Sequence, residues 1–347
     1  MTLLHQPTVI QLILIDGSDA GGQLVRTATA LSALTTKPFK MVSIRGARPR
    51  PGLQTQHIEG VKSLGELCNA DIRGLSLSSK ELEFYPKNLV ERDLKIKIST
   101  AGSIGLILQA VMIATSQMKG IEIEIDGGGT WNKWAPPVLY IEKVFFPLLR
   151  EKSKIEIIKN GFYPRGGAKV KVKTSFLELK PIEIIEKKEI TEIYGYSVAS
   201  QNLKKAEVAE RQAKRAEELI KQKLGKDMKK EIKYVDTLSS GTGLLVNIIT
   251  KNSIIGADSL GKRGKKAENV AKDVIKKLIL EYANGSVDRH AADMLLPYMA
   301  LAGSGKIKTG EITHHILTNI SIIEKFLPVK FYISKDEGLV SCKTNQS

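Results

Sequence analysis

The sequence predicts an α+β protein built from repeated αβ units, with a small αβ domain inserted into the chain. Four segments each combine a strand, a glycine- or arginine-rich loop and a helix, which indicates repeated supersecondary units. They begin near residues 9, 39, 95 and 121. Composition changes near Pro181, beyond which two strongly charged helical segments accompany short strands. We therefore predict a large domain of residues 1–181 and 284–347, and an inserted domain of residues 182–283.

Composition and charge restrict the class of protein. The chain has 347 residues, of which 42% are hydrophobic and 26% charged, as in a globular protein of two or three domains. A net charge of +16 favours an anionic partner such as nucleic acid. Cys68 and Cys342 form no CxxC pair, so we predict a reducing, cytoplasmic location without disulfides or a zinc site. No run of about 18 apolar residues occurs, so we predict no membrane span and no membrane partner.

A glycine-rich loop follows the first predicted strand, Val9–Ile15, and precedes a helix that extends to about Ala33. Its sequence, DGSDAGGQ at residues 16–23, lets backbone N–H groups approach a ligand, and the helix start favours anions. The loop matches neither the Walker motif nor the dinucleotide motif, so an ordinary strand-to-helix turn is an equal alternative. Asp16 and Asp19 carry oxygen atoms that suit Mg²⁺.

A basic turn follows the second predicted strand, Phe39–Ile44. Three arginines occur within six residues, namely Arg45, Arg48 and Arg50. Guanidinium groups bind phosphates in a bidentate manner, and two neighbouring prolines restrict the turn and lower the entropy lost on binding. We expect a phosphate site here; the alternative is a solvated basic turn.

Hydrophobic periodicity predicts the remaining elements. Strands are expected at Ser76–Tyr85, Leu94–Ile98, Ile121–Ile125, Ile155–Lys159, Ala168–Val172, Ile182–Ser200, Lys230–Val235, Leu244–Thr250, Ile254–Asp258, Val329–Ser334 and Gly338–Cys342. Helices are expected at 53–69, around Gln109, and at Val138–Leu149, Lys204–Leu224, Lys265–Tyr282 and Asp288–Ala302. A second glycine-rich loop occupies residues 126–137. Gln109 is the polar residue of an apolar helix, and His290 and Asp293 are the polar exceptions of another.

Two adjacent histidines stand at the start of a last helix, Glu311–Phe326. Thr313 can cap this helix, which places His314 and His315 in its first turn. There the free N–H groups and the helix dipole keep an imidazole neutral and attract phosphate, which suits a histidine nucleophile. The alternative is a pair of ordinary polar residues at a helix start, and these residues alone do not decide between the two histidines.

Seven segments together resemble the motifs of the RNA 3′-terminal phosphate cyclase family. They are DGSDAGGQLVR (16–26), SIRGARPRPGLQTQH (43–57), STAGSIGLILQ (99–109), DGGGTWNKWAPP (126–137), NGFYPRGG (160–167), ADMLLPYMALAGSG (292–305) and THHILTNISIIEKFLPVKF (313–331). They occur in the family's order and cover essentially the whole chain. The resemblance implies a four-unit large domain, similar to the architecture of the cyclases and enolpyruvyl transferases, with a small domain inserted between the third and fourth units.

The resemblance also implies an activity. The family converts an RNA 3′-terminal phosphate into a 2′,3′-cyclic phosphodiester with ATP, through a covalent histidine–AMP and an RNA-adenylate intermediate, and releases AMP and pyrophosphate. The implied enzyme is a ligase that uses ATP with Mg²⁺ or Mn²⁺ and acts on RNA 3′ ends bearing a phosphate. A catalytically inactive cyclase-like protein of ribosomal RNA processing is the alternative, but such relatives lack the nucleophile. An enolpyruvyl transferase would need neither the histidine nor this arginine-rich site.

The family's site residues can be placed on this sequence. The catalytic histidine is His315. The implied nucleotide-binding residues are Gln109, Pro137, His290, Ala291, Ala292, Asp293 and Met294. The implied RNA- and phosphate-binding residues are Arg26, Arg45, Arg48, Gln56 and His57, and Asp19 is the implied metal ligand. The chain departs from the family pattern in a shorter first loop around Asp19, in His290 where an aromatic residue is usual, and in Met294 where glutamine is usual.

Overall fold

The computed structural model describes residues 11–19 and 21–345. The strands are β1 (Ile13–Asp16), β2 (Phe39–Val42), β3 (Asp71–Arg73), β4 (Leu82–Tyr85), β5 (Leu94–Ser103), β6 (Glu122–Gly129), β7 (Lys154–Lys159), β8 (Lys169–Lys173), β9 (Ile182–Ile184), β10 (Ile190–Ser200), β11 (Lys229–Val235), β12 (Thr242–Thr250), β13 (Ile254–Leu260), β14 (Ser304–Lys308), β15 (Val329–Ser334) and β16 (Leu339–Thr344).

The helices are α1 (Gln23–Thr35), α2 (Thr55–Cys68), α3 (Ile104–Ala114), α4 (Val138–Tyr140), α5 (Phe146–Leu149), α6 (Val208–Leu224), α7 (Ala267–Asn284), α8 (Arg289–Leu301) and α9 (His314–Phe326). A π-helical segment, Ile141–Phe145, joins α4 and α5, and a 3₁₀ helix, Gln201–Ala206, precedes α6. The predicted helices are all found. Strands β3 and β14 were not predicted, and residues 9 and 10 of the first predicted strand lie outside the described residues.

One topology occurs three times. In the first unit β1 pairs in parallel with β2, and β4 pairs antiparallel with both β2 and β3, which gives the order β1-β2-β4-β3. The second unit repeats this arrangement as β5-β6-β8-β7, and the third as β9-β14-β16-β15. Each unit has one helix after its first strand and another after its second. The α+β class and the repetition are therefore confirmed.

The number of large-domain units is three in the described residues, and the prediction of four is wrong. The fourth sheet has the different order β11-β10-β12-β13 and belongs to the inserted segment, where α6 follows β10 and α7 follows β13. This segment lies inside the third unit, between β9 and α8, and not between a third and a fourth unit. The sequence concealed this arrangement because β9 has only three residues and its partner β14 lies more than 100 residues further along the chain.

The pairing of β9 bears on where the inserted segment begins. Strand β9 pairs in parallel with β14, with Ile182 opposite Gly305, so it belongs to the third large-domain sheet. A boundary after residue 181 would remove this strand from the sheet that it completes. We therefore propose that the inserted domain begins after Ile184, because the composition change at Pro181 marks a loop and not the end of the sheet.

The helices of the three units pack together between their sheets. Helix α1 contacts α2, α3 and α9, and α8 contacts α3 and α9, so α3, the first helix of the second unit, meets the first helices of the other two units. The inserted segment has its own core, in which α6 and α7 bury apolar faces against the sheet. Within the described part of the chain, no helix combines the length and the apolar character needed to cross a bilayer.

The second glycine-rich loop holds the inserted segment against the large domain. Trp131 is buried, and a Cβ atom on Gly243 of β12 would lie 2.3 Å from its ring. On the neighbouring turn, Phe162 occupies the same kind of position against Gly241. These glycines therefore permit a close contact between the aromatic rings and the backbone. The aromatic residues at these two positions serve to pack the inserted segment against the large domain.

Candidate active site

One cavity of about 450 Å³ brings together most of the predicted site residues. Its lining comprises Gly21, Gly22, Gln23, Arg26, Arg45, Arg48, Pro49, Gln54, Gln56, His57, Leu106, Gln109, Trp134, Pro136, His290, Asp293, Met294 and His315. Helices α1, α2, α8 and α9 each contribute residues from their first turn. Since the positive ends of the helix dipoles meet at such starts, the cavity is suited to an anionic ligand. A larger cavity of about 610 Å³, lined by residues 147–150, 176–184 and 249–254 among others, contains none of the predicted residues.

Two glycines allow the start of α1 to face this cavity. A Cβ atom on Gly21 would lie 3.3 Å from Arg48 Nη2 and 3.5 Å from His315 Cε1. A Cβ atom on Gly22 would lie 1.9 Å from His57 Nε2. Gly22 is also the N-cap of α1, and no side chain caps that helix. Within the described part of the chain, the backbone N–H groups at the start of α1 therefore have no side-chain acceptor.

Replacing Gly22 with alanine should destabilise the fold and distort this wall of the cavity. His57 is buried and held by a backbone donor, so its ring cannot move aside cheaply, and overpacking of this kind costs about 1–3 kcal/mol. Urea denaturation should show a correspondingly smaller free energy of unfolding. Gly60→Ala is the matched control, because Gly60 lies inside α2 with no atom within 4 Å of its added Cβ. Equal stabilities of the two variants would contradict the steric argument.

The two histidines of α9 have different surroundings. Thr313 caps the helix, with its Oγ1 accepting from the N–H of Ile316 at 3.2 Å, as predicted. His314 turns towards the first loop, where its Nε2 lies 2.9 Å from the carbonyl oxygen of Asp19. His315 lines the cavity. Burial lowers the pKa of His315, and the positive charges of nearby arginines lower it further, so the ring is neutral at neutral pH.

Arg26 extends into the cavity from α1. Burial lowers its pKa to about 10, against an opposing effect of Asp293, so the guanidinium remains charged at neutral pH. Asp293 does not form an ion pair with it; the carboxylate accepts from Gln23 and, at 3.1 Å, from Asn319. Burial raises the pKa of Asp293 to about 6. A partly buried positive charge that bonds to no carboxylate among the described residues favours an anionic ligand.

Two of the other predicted phosphate-binding residues already form hydrogen bonds within the protein. Arg45 donates from Nη1 to the carbonyl oxygens of Arg50 and Gly52, at 2.7 and 2.9 Å, which leaves Nε and Nη2 available. Gln56 accepts from the N–H of Ser103 at 3.1 Å. Their bonds fix the loop and join α2 to α3. Arg48, by contrast, is exposed and stands beside Gly21.

His57 belongs to the cavity wall as a neutral ring. Its Nδ1 accepts from the N–H of Gln54 at 3.0 Å and so completes a capping box at the start of α2. Burial, with the nearby charges of Arg26 and Arg45, lowers its pKa to about 3. The hydrogen is therefore on Nε2, and the ring supplies no positive charge.

The predicted nucleotide-binding residues divide into two groups. Gln109, His290, Asp293 and Met294 line the cavity. Ala291 and Ala292 are buried in the core face of α8, so they do not reach the cavity. Pro137 is the buried N-cap of α4, and its neighbour Pro136 lines the cavity in its place. Ala291, Ala292 and Pro137 therefore lie outside the cavity lining, and their assignment to nucleotide binding stays a prediction.

Two residues that contribute to the candidate site, Trp134 and Asn319, were missed by sequence reasoning. Trp134 is largely exposed and lines the cavity together with Pro136, although residues 126–137 were predicted from the sequence only as a glycine-rich loop. Asn319, one turn along α9 from His315, donates to both the backbone and the carboxylate oxygen of Asp293 at 3.1 Å. The signal for Asn319 was a polar residue between two buried isoleucines of an amphipathic helix.

The predicted metal ligand lies at the edge of the site. Asp19 is exposed on the first loop, and its carbonyl oxygen contacts His314. Among residues 11–19 and 21–345, no three histidine, cysteine, aspartate or glutamate side chains gather as a metal site would require. A single exposed carboxylate is compatible with a Mg²⁺ ion held mainly by phosphate oxygens, so Asp19 stays a prediction.

Comparison with known proteins gives a consistent result. A family model described as RNA 3′-terminal phosphate cyclase matches residues 18–333. The RNA 3′-terminal phosphate cyclase of Ignicoccus hospitalis is 39% identical over 331 residues, covering 91% of this chain and 93% of that protein. The proteins of the same name from Thermococcus kodakarensis and Pyrobaculum aerophilum are 40% and 43% identical, each covering 93% of this chain and 95% of the relative.

Proposed function

Because this chain belongs to the RNA 3′-terminal phosphate cyclase family, a family of ligases, we propose that it converts an RNA 3′-terminal phosphate into a 2′,3′-cyclic phosphodiester at the expense of ATP. The observation that carries the proposal is a neutral, accessible histidine, His315, at the wall of a cavity that the guanidinium groups of Arg26, Arg45 and Arg48 also line. A histidine in this state is a nucleophile, and the charge favours phosphate groups.

The first step uses the unshared electron pair of a His315 ring nitrogen. A nitrogen–phosphorus bond forms to the α-phosphorus of ATP, the bond from that phosphorus to the bridging oxygen breaks, and pyrophosphate leaves. The lowered pKa of His315 favours this step, because the protonated ring has no free electron pair. Arg26 and Arg48 stand where they can neutralise charge on the phosphate oxygens.

The second step frees the histidine. An oxygen of the RNA 3′-phosphate attacks the phosphorus bound to His315, the nitrogen–phosphorus bond breaks, and the RNA end becomes an adenylate. In the last step the neighbouring 2′-hydroxyl attacks the 3′-phosphorus, loses its proton and expels AMP. That attack is intramolecular, and effective molarities of such reactions reach about 10⁵–10⁸ M, so the chain must mainly hold the end in place.

The remaining residues of the cavity bind the nucleotide in this proposal. Pro136 and His290 contribute the surfaces that flank the adenine ring, and Gln109 and Asp293 supply polar contacts. Mg²⁺ or Mn²⁺ would neutralise phosphate charge, with Asp19 as the residue available to help hold it. We place the enzyme in the cytoplasm, which is consistent with Cys68 and Cys342 both being free thiols.

The test is an end-conversion assay. The full-length protein is incubated with ATP, MgCl₂ and an RNA oligonucleotide with a labelled 3′-terminal phosphate. We expect the label to become resistant to phosphatase and AMP to be released in equal amount. An oligonucleotide with a 2′-deoxy 3′-terminal nucleotide is the control, because it lacks the attacking hydroxyl. RNA binding without conversion would overturn the proposal in favour of an inactive cyclase-like protein of ribosomal RNA processing, for which the altered first loop and Met294 are the supporting features.

A further inference from the structure

The loop of residues 126–137 contains both tryptophans of the chain, and they have opposite environments. Trp131 is 2% exposed and packs on the inserted domain, whereas Trp134 is 83% exposed and lines the cavity. An aromatic side chain can bury about 150–250 Å², and burial of that area is the usual reason for such a residue. Trp131 contributes to the fold in this way. Trp134 does not, so its ring is available for another role.

The loop presents the exposed ring on a fixed backbone. Asn132 donates from Nδ2 to the carbonyl oxygen of Ala101 at 2.9 Å, and Asn132 and Ala135 form a β-bridge. The N–H of Val138 bonds to the carbonyl oxygen of Thr130 at 3.0 Å, which closes the loop. A ring held by such a loop loses little conformational entropy when a ligand packs on it.

The surroundings of Trp134 carry positive charge. The ammonium group of Lys133 lies 4.3 Å from the centroid of the indole ring, and Arg26, Arg45 and Arg48 line the same cavity. An aromatic surface beside cationic side chains is the arrangement that binds single-stranded nucleic acid, because bases stack on the ring while phosphates meet the charges.

The position of Trp134 indicates whether its ring contacts the ATP or the RNA strand. A mononucleotide can lie wholly inside the cavity, but an RNA strand whose 3′-phosphate reaches His315 must leave through the opening. A lining residue that is 83% exposed stands at that opening. We propose that Trp134 is the stacking surface for a base of the RNA strand next to its 3′-terminal phosphate; this inference rests on the proposed function.

Tryptophan fluorescence gives the test, because the chain has only these two tryptophans and Trp131 is buried. The full-length protein is titrated with a 3′-phosphorylated single-stranded oligoribonucleotide at several salt concentrations. Stacking should quench the emission of Trp134, and Trp134→Phe should remove this response while binding is largely retained. Trp134→Ala should raise the Kd for RNA between about 5-fold and about 150-fold without changing its salt dependence, since no phosphate contact is lost.

A matched control separates this effect from general surface changes. Tyr332 on β15 is also an exposed aromatic residue, 56% exposed, and lies outside the cavity lining, so Tyr332→Ala should bind RNA as the unmodified chain does. Quenching by ATP alone, or an unchanged Kd in Trp134→Ala, would overturn the inference. The titration measures binding and not catalysis. A protein that binds RNA as expected but forms no cyclic phosphate would therefore contradict the proposed function and leave the stacking inference intact. A chain that binds no 3′-phosphorylated RNA contradicts both.

Discussion

Replacing His315 with alanine should abolish transfer of the α-phosphate label of ATP to the protein, whereas His314→Ala should still be labelled. The label can remain on the chain only through a covalent bond, and His315 is the histidine that lines the cavity. His314 instead contacts the backbone of Asp19 on the first loop. The measurement is incubation with α-³²P-ATP and Mg²⁺, followed by denaturing electrophoresis.

The matched pair makes this prediction specific. The two variants remove the same side chain from adjacent residues of one helix, so differences in general stability are small. Labelling should also persist at pH values somewhat below 6.5, because a lowered folded-state pKa keeps His315 neutral at more acidic pH than an ordinary histidine. A labelled His315→Ala protein, or loss of label in His314→Ala alone, would disprove the assignment.

Replacing Asp288 with alanine should reduce the free energy of unfolding by about 3–5 kcal/mol. This carboxylate is 1% exposed, and its Oδ1 accepts from the hydroxyl of Tyr140 at 2.6 Å. The same oxygen caps α8 by accepting from the N–H groups of His290 and Ala291, each at 3.0 Å. Its Oδ2 accepts from the N–H of Gly256 in the inserted domain, also at 3.0 Å.

The stability lost in Asp288→Ala exceeds the loss from removing an ordinary helix cap, because several buried donors lose their acceptor. Removal of a cap costs about 0.5–2 kcal/mol, and each buried donor left without a partner about 1–3 kcal/mol. Thr313→Ala is the matched control, since Thr313 caps α9 through a single bond to Ile316, and it should cost about 1 kcal/mol. Urea denaturation monitored by circular dichroism measures both variants. Equal losses would show that the bonds to Tyr140 and Gly256 contribute nothing.

The link through Asp288 also connects the inserted domain to the active site. The first turn of α8 includes His290, and its next turn carries Asp293, both of which line the cavity. The carboxylate that caps this turn is held from the other side by β13 of the inserted domain. The stability of the domain contact and the positions of these two cavity-lining residues therefore depend on one buried side chain.

Local sequence patterns determined the elements and the chemistry of the candidate site. The periodicity of apolar residues predicted the helices, and the cap at Thr313 was predicted from residue type alone. Each of these local patterns contributes to the cavity: Gly21 and Gly22 from the first loop, Arg45 and Arg48 from the turn after β2, and His315 from the histidine pair. These features follow from the chain itself, because turns, caps and helix starts are set by neighbouring residues.

Long-range packing decided what local patterns could not. Adjacent residues on a helix point about 100° apart, so the rotation of α9 against α1 and α8 determines which histidine lines the cavity. The same dependence on packing brings Pro136 but not Pro137 to the cavity lining, and it separates the exposed Trp134 from the buried Trp131. The count of three units depended on β9, whose three residues acquire a role only by pairing with β14 more than 100 residues away. A short strand has too little local pattern to be recognised, and only the completed sheet shows to which unit it belongs.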